Sequence, residues 1–222
     1  MKMTNFEIEL QKLNNVIQKI GALAESQIGE SVKALLSELF LDGKEIKKTE
    51  NKIDKLDIKI EELCQSIFAL QQPVASDLRF IMSSMQIGNE IERIGDLAVN
   101  IIKRSKNIKD KHELVAKFNI ADLARQVEVI TKKSNECFIA RDEKIIGEIF
   151  ILNNSINKEC EEVIHQIINE MKTNPKTVAS GTNLVIVLKH LERISGHCTN
   201  IAEYVYFMVN AKNIKHEKFE IK

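Results

Sequence analysis

Apolar residues recur along this chain at steps of three and four, and the polar residues between them rarely break the rhythm. Ile53, Leu56, Ile60, Leu63, Ile67 and Leu70 follow it in one stretch, and Leu184, Leu188, Leu191, Ser195, Cys198, Ala202, Val205 and Val209 in another. At 3.6 residues per turn, such spacing puts one continuous apolar stripe on a helix. With eight Gly and two Pro in 222 residues, the chain has few places to turn. The pattern predicts helices over about Phe6 to Leu41, Lys44 to Leu70, the stretch after "QQPVASD" to Lys106, Leu114 to Ala140, a fifth reaching Met171, and Val178 to Ala211. The breaks fall at Asp42-Gly43, at Pro73, at the polar "NIKDKHE", at "RDE" and at Pro175.

The sixfold pattern is a threefold one repeated. "NEIERIGDLAVNI" at 89–101 returns as "KHLERISGHCTNI" at 189–201, and Pro73 and Pro175 stand at matching places between the second and third helix of each half. The expected fold is all-α, two tandem three-helix bundles related by an internal repeat, over residues 1–107 and 113–222. Helices of about thirty residues reach about 45 Å at 1.5 Å per residue, so each bundle is elongated.

Composition narrows the partners. Lys plus Arg and Asp plus Glu are both 32, there is no Trp, and there are two Tyr. Neither a net field nor a stacking surface exists to recruit nucleic acid. No stretch approaches the roughly eighteen uncharged apolar residues of a membrane span, and the N-terminal segment lacks a leader's apolar region, so a cytoplasmic protein is expected. Cys64, Cys137, Cys160 and Cys198 are widely separated and read as reduced core residues.

Chemistry concentrates in carboxylates. Glu50, Asp54, Asp57 and Glu61 are spaced four, three and four, and Glu92 and Asp96 stand one turn apart, with Glu90 nearby. Like charges at that spacing cost a helix a few tenths of a kcal/mol unless offset, and a hard cation held by carboxylate oxygens would offset them. An acidic stripe is also the ordinary solvated face of a Glu/Lys-rich helix, and both readings stand on spacing alone. Gly88 and Gly95 flank the cluster, where they admit either a close helix crossing or a ligand. Glu162-Val163-Ile164-His165 matches one Glu-x-x-His element of a di-iron bundle but has no second copy. His190 and His197 share a helix face and are soft ligands or packing residues. Phosphate loops and hydrolytic triads are absent from the sequence, so no enzymatic activity is expected.

The stretch "QQPVASDLRFIMSSMQIGNEIERIGDLAVNI", with Pro73, Asp77-Leu78-Arg79, Glu92-Arg93-Ile94-Gly95-Asp96 and Asn100-Ile101, resembles the PhoU family, as does its echo in Leu191-Glu192-Arg193-Ile194 and Asn200-Ile201. The resemblance covers essentially the whole chain. It implies surface metal sites built from Glu/Asp-x-x-x-Asp motifs, here Glu50 and Asp54 with Glu92 and Asp96, holding divalent or ferric ions such as iron, zinc or a magnesium-like ion. Aligning Ile156 with Ile53 puts Asn153, Asn157 and Gly196 where Glu50, Asp54 and Asp96 stand. Only Glu192 remains, so a weaker second-half site would draw on Glu192 and His197, with Cys160 as a softer donor. The resemblance further implies a cytoplasmic homodimer that regulates phosphate uptake and represses phosphate-starvation genes by contact with the phosphate transporter ATPase and its sensor histidine kinase. The alternative is a metal-binding helical adaptor of another phosphate carrier or kinase.

Overall fold

The computed structural model describes residues 3–37 and 43–214. Its elements are α1 (Asn5–Leu36), α2 (Gly43–Gln71), α3 (Ala75–Ser105), α4 (Lys111–Lys117), α5 (Ile120–Ala140), α6 (Glu143–Thr173), a 3-10 turn (Pro175–Thr177) and α7 (Val178–Asn210). Helices account for every regular element among the described residues. The first is closed at its start by a capping box in which Thr4 and Glu7 satisfy each other's backbone N–H groups.

The two predicted three-helix units are present, α1–α2–α3 and α5–α6–α7, but they are fused rather than strung in line. α3 packs along both α1 and α7, and α5 along both α1 and α7, so these four helices close into a central bundle with α2 and α6 outside it. One hydrophobic core runs through both halves. The pairs Gln86 with Tyr204, Glu90 with His197 and Lys109 with Ser180 show that α3 and α7 run antiparallel.

Two boundaries differ from the sequence pattern. α1 ends at Leu36 with Ser37 as its C-cap, and the expected end at Leu41 and the turn residue Asp42 lie outside the described residues. The predicted single helix from Leu114 to Ala140 is two helices, broken at Phe118 and Asn119, with Asn119 in the left-handed region at φ 49°. The apolar rhythm hides this break because Leu114, Val115 and Phe118 on one side and Ile120 and Leu123 on the other are all buried. Asn tolerates that backbone better than most residues. The short α4 then sits against the end of α1, where the Lys111 ammonium donates to the Ala34 carbonyl (2.7 Å), while Ser180 pins the preceding strand of linker at Lys109 (3.1 and 3.2 Å). The apolar stripes also overrun the core: Leu70 and Val209, both in the expected pattern, are 74% and 42% exposed.

A polar junction fixes the register of the two halves. Glu90 of α3 reaches α7, where its carboxylate lies 2.6 Å from His197 Nδ1 and accepts from Asn200 Nδ2 at 3.1 Å. The Glu90 and His197 side chains are only 15% and 18% exposed, so removing the carboxylate leaves two buried groups without their acceptor. Glu90→Ala is expected to cost about 2 kcal/mol by urea denaturation. Asp77→Ala, which touches neither group, serves as the reference, and a Glu90→Ala loss no larger than that of the reference would refute a structural role for the junction.

Candidate metal-binding face on α2 and α3

The face is built by the close approach of α2 to α3. A Cβ on Gly88 would stand 3.0 Å from Ile60 Cδ1 and 3.1 Å from Asp57 Oδ1, and one on Gly95 would stand 3.1 Å from Ile53 Cδ1. Both glycines therefore serve the close crossing, one of the two readings the sequence allowed. The helices are antiparallel, with Ile53 opposite Gly95 and Ile60 opposite Gly88. This brings the acidic stripe of α2 alongside Glu92 and Asp96 of α3.

Of the four predicted ligands, Glu50, Glu92 and Asp96 are half-buried and Asp54 is exposed. Burial is the first cause that holds the Asp54 and Glu92 carboxyls above their usual range, and the nearby Asp96 charge is the second in both. Asp57 joins them: burial first, then Glu61 and Asp54, push its carboxyl up, against the opposing pull of Arg93. Its Oδ1 is shielded from solvent and has no hydrogen-bond partner. The carboxyls of Asp54, Asp57 and Glu92 are thus held up in part by the charges of neighbouring carboxylates across a single helix seam, with Arg93 (Nε 3.6 Å from Glu92 Oε2) as a cation beside them.

The chemistry of this donor set, oxygen ligands of like charge with one buried oxygen unsatisfied, fits a hard cation. The side chains as placed do not close on a point: among the described residues, no three His, Cys, Asp or Glu side chains converge as metal ligands.

The corresponding seam of the second half has lost three of its four carboxylates, with only Glu192 kept. Ser195, at the place of Gly95, donates its hydroxyl to Asn153, at the place of Glu50. Asn157 Oδ1, at the place of Asp54, is buried without a partner. Cys160 falls at the place of Asp57; burial pushes its thiol up to about 12 and it donates to the Leu188 carbonyl (3.6 Å), so it is a packed thiol. A Cβ on Gly196 would meet no atom within 4 Å, so crowding does not explain the loss of a carboxylate there. Glu192 and His197 have different partners. Glu192 pairs with Lys189 (2.6 Å), one turn before it, whereas His197 faces Glu90 of the other half.

Among the described residues no helix is long and apolar enough to cross a membrane. The four cysteines are free and buried, with the thiols of Cys64 and Cys137 pushed up to about 12 and that of Cys198 to about 11 by burial.

Comparison with known proteins places the whole architecture. A family model described as "PhoU domain" matches residues 17–105 and 120–205, once in each half. A phosphate-specific transport system accessory protein PhoU homolog of Pseudomonas aeruginosa is 26% identical over 212 residues, 95% of this chain and 88% of that protein. The Clostridium acetobutylicum homolog is 28% identical over 211 residues, covering 94% and 96%. The crystal structure of PhoU from Pseudomonas aeruginosa superposes with a TM-score of 0.86 at 25% identity, over 94% of this chain and 100% of that one. The phosphate transport system regulatory protein PhoU from Streptococcus pneumoniae shares the fold, with a TM-score of 0.83 at 23% identity over 94% and 99%.

The raised carboxyls of Asp54, Asp57 and Glu92 set a pH dependence. A carboxyl whose folded pKa lies above its unfolded one contributes stability that is complete below the unfolded value and lost as pH rises through the folded one. In chelator, Asp57→Asn is therefore expected to stabilise the protein at about pH 7, by on the order of 1 kcal/mol or less because the group is half-exposed, and to lose that advantage toward about pH 4. Urea titrations at the two pH values check this; a variant less stable than the parent at neutral pH would show that the Asp57 carboxylate is already neutralised.

Proposed function

The chain belongs to the PhoU family, and on that premise we propose that it is a regulator of phosphate uptake and phosphate-starvation signalling, acting by contact with a phosphate transporter ATPase and its sensor histidine kinase. The observation that carries this reading is the family match in both halves, together with relatives of nearly the same length named as accessory proteins of phosphate-specific transport. The regulation is negative: when phosphate is plentiful, the protein damps uptake and helps to silence the starvation response. It works in the cytoplasm as a homodimer and performs no chemistry on a substrate.

The acidic face gives the regulator a metal-dependent surface. Glu50, Asp54, Glu92 and Asp96 hold a divalent or ferric cation, iron, zinc or a magnesium-like ion, with Asp57 supplying the unsatisfied oxygen at the edge of the seam. A bound cation supplies positive charge where four carboxylates now repel. Its binding stiffens the α2–α3 edge and weakens the negative field that a partner meets there. In the second half, Asn153, Asn157 and Gly196 offer no such charge, and that half contributes shape.

Deletion of the gene is expected to raise phosphate uptake and switch on a starvation-responsive reporter in phosphate-replete medium. Unchanged uptake and a silent reporter would overturn the regulatory reading. The metal reading is checked separately by elemental analysis of untagged protein beside the Asp54→Asn/Asp96→Asn double variant. Stoichiometric metal in the parent that is lost in the variant is expected, and equal metal in both would place any cation elsewhere.

A further inference from the structure

Two arginines on the seam between α3 and α7 carry charge that no described carboxylate balances. Among the described residues, neither Arg104 of α3 nor Arg193 of α7 makes a hydrogen bond or an ion pair, and both are exposed. Arg93 and Arg125, by contrast, pair with Glu92 and Asp122. The carboxylates that could neutralise the seam are engaged elsewhere. Glu192 pairs with Lys189 (2.6 Å), and Glu90 is taken by His197 and Asn200.

The helix register brings these two residues toward each other. Glu90 with His197 and Lys109 with Ser180 tie the two halves at two levels, and α3 and α7 run antiparallel between them. Arg104 lies in that interval on α3, and His190 and Arg193 lie in it on α7. Arg104 follows Glu90 by about four turns at 3.6 residues per turn, so it shares the face that Glu90 turns to α7. His190 and Arg193 precede His197 by about two turns and about one, on the face that meets Glu90. Long side chains lean toward the N-terminus of their helix. On antiparallel helices Arg104 and Arg193 therefore lean toward one another, with His190 at a level between them.

His190 registers the field of both. Its ring is half-buried, and Nδ1 is shut off from water without a partner, which leaves Nε2 as the ring nitrogen at the surface of the seam. Burial first, then the charges of Arg193 and Arg104, hold the imidazole below its usual pKa. Two permanent cations and an imidazole donor thus gather at one place in a chain whose net charge is zero. The cations repel one another, and an anion seated between them turns that repulsion into attraction.

Guanidinium groups present planar forks of N–H donors that match the oxygens of a phosphate, and they stay charged at every physiological pH. We propose that Arg104, Arg193 and His190 form a binding site for free inorganic phosphate on the α3–α7 seam, the two guanidinium groups donating to its oxygens from either side and His190 Nε2–H donating between them. The site is separate from the acidic edge of α2 and α3, whose carboxylates repel the same anion. The gathering of charge stands without the regulatory reading. The choice of phosphate among oxyanions rests on that reading, and it gives the regulator a direct sense of the ion whose uptake it controls.

Calorimetric titration of the full chain with sodium phosphate tests the site, after a chelator has stripped any cation and been dialysed away. Saturable binding of a single phosphate per chain is expected, with a Kd of about 1 mM or tighter. Arg104→Gln and Arg193→Gln are each expected to weaken it about tenfold or more, the loss of a charge-assisted hydrogen bond. Arg125→Gln, on α5, should leave it unchanged. Both seam arginines are exposed, so the urea midpoints of their variants should match the parent's. In NMR spectra the side-chain Nε–H signals of Arg104 and Arg193 should shift together as phosphate is added. Binding that does not saturate, or that Arg125→Gln weakens as much as Arg193→Gln, would mark general attraction to surface charge and overturn the proposal. So would a phosphoserine peptide that binds far more tightly than the free ion, since the ligand would then be a phosphorylated protein. If phosphate fails to bind while gene deletion still raises uptake, the site falls and the regulatory reading stands.

Discussion

Three helices compete for the surface of α3, and the structure follows from how that competition is settled. α1, α2 and α7 all lie against it, so nearly every turn of α3 must serve a neighbour. Isoleucines and leucines at steps of three and four bury toward the core, Gly88 and Gly95 give way to Ile60 and Ile53 of α2, and Glu90 reaches across to α7. A helix packed on three sides cannot slide without breaking one set of contacts. That constraint sets the register of both halves and, with it, the position of the acidic residues on the remaining edge.

The same constraint explains how the halves came to differ in chemistry and not in shape. The packing positions of α3 reappear in α7 as Leu191, Ile194 and Ile201, all buried. The carboxylate positions lie at the rim, where a change of charge leaves the core intact. Asn153 and Ser195 replace an acidic residue and a glycine with a neutral hydrogen bond, and the open space at Gly196 is left unused. Losing three carboxylates removes mutual repulsion, so the second half is relieved of a penalty that only a ligand would make worth keeping.

Much of this was legible in the sequence because helix periodicity and proline punctuation are local signals. The six long helices, the duplication at "NEIERIGDLAVNI" and "KHLERISGHCTNI", and the pairing of Glu92 with Asp96 could be read from spacing. The break at Asn119 could not, since the buried residues on both sides preserve the apolar rhythm and no glycine or proline marks the turn. His197 was grouped with Glu192 on the strength of a shared helix, but its partner, Glu90, stands more than a hundred residues away in the other half. Asp57 was visible in the stripe; its unsatisfied oxygen against Gly88 emerged only once α2 and α3 were placed side by side.

The order of features along α3 bears on how a signal could pass through this fold. Glu90 stands near its middle, and Glu92 with Asp96 on the turns that follow. Coupling between distant sites requires an element with two arrangements of similar free energy, each favoured by a different ligand. α3 is a poor candidate for such motion. The tight fit at Gly88 and Gly95 leaves α2 no room to approach further, and a shift along α7 would separate Glu90 from both His197 and Asn200. On the proposed reading, a cation on the acidic edge therefore changes the surface charge without moving the helices beneath it. On that reading the fold is a stiff adaptor, which answers a bound cation with a change of surface charge and not with a change of shape.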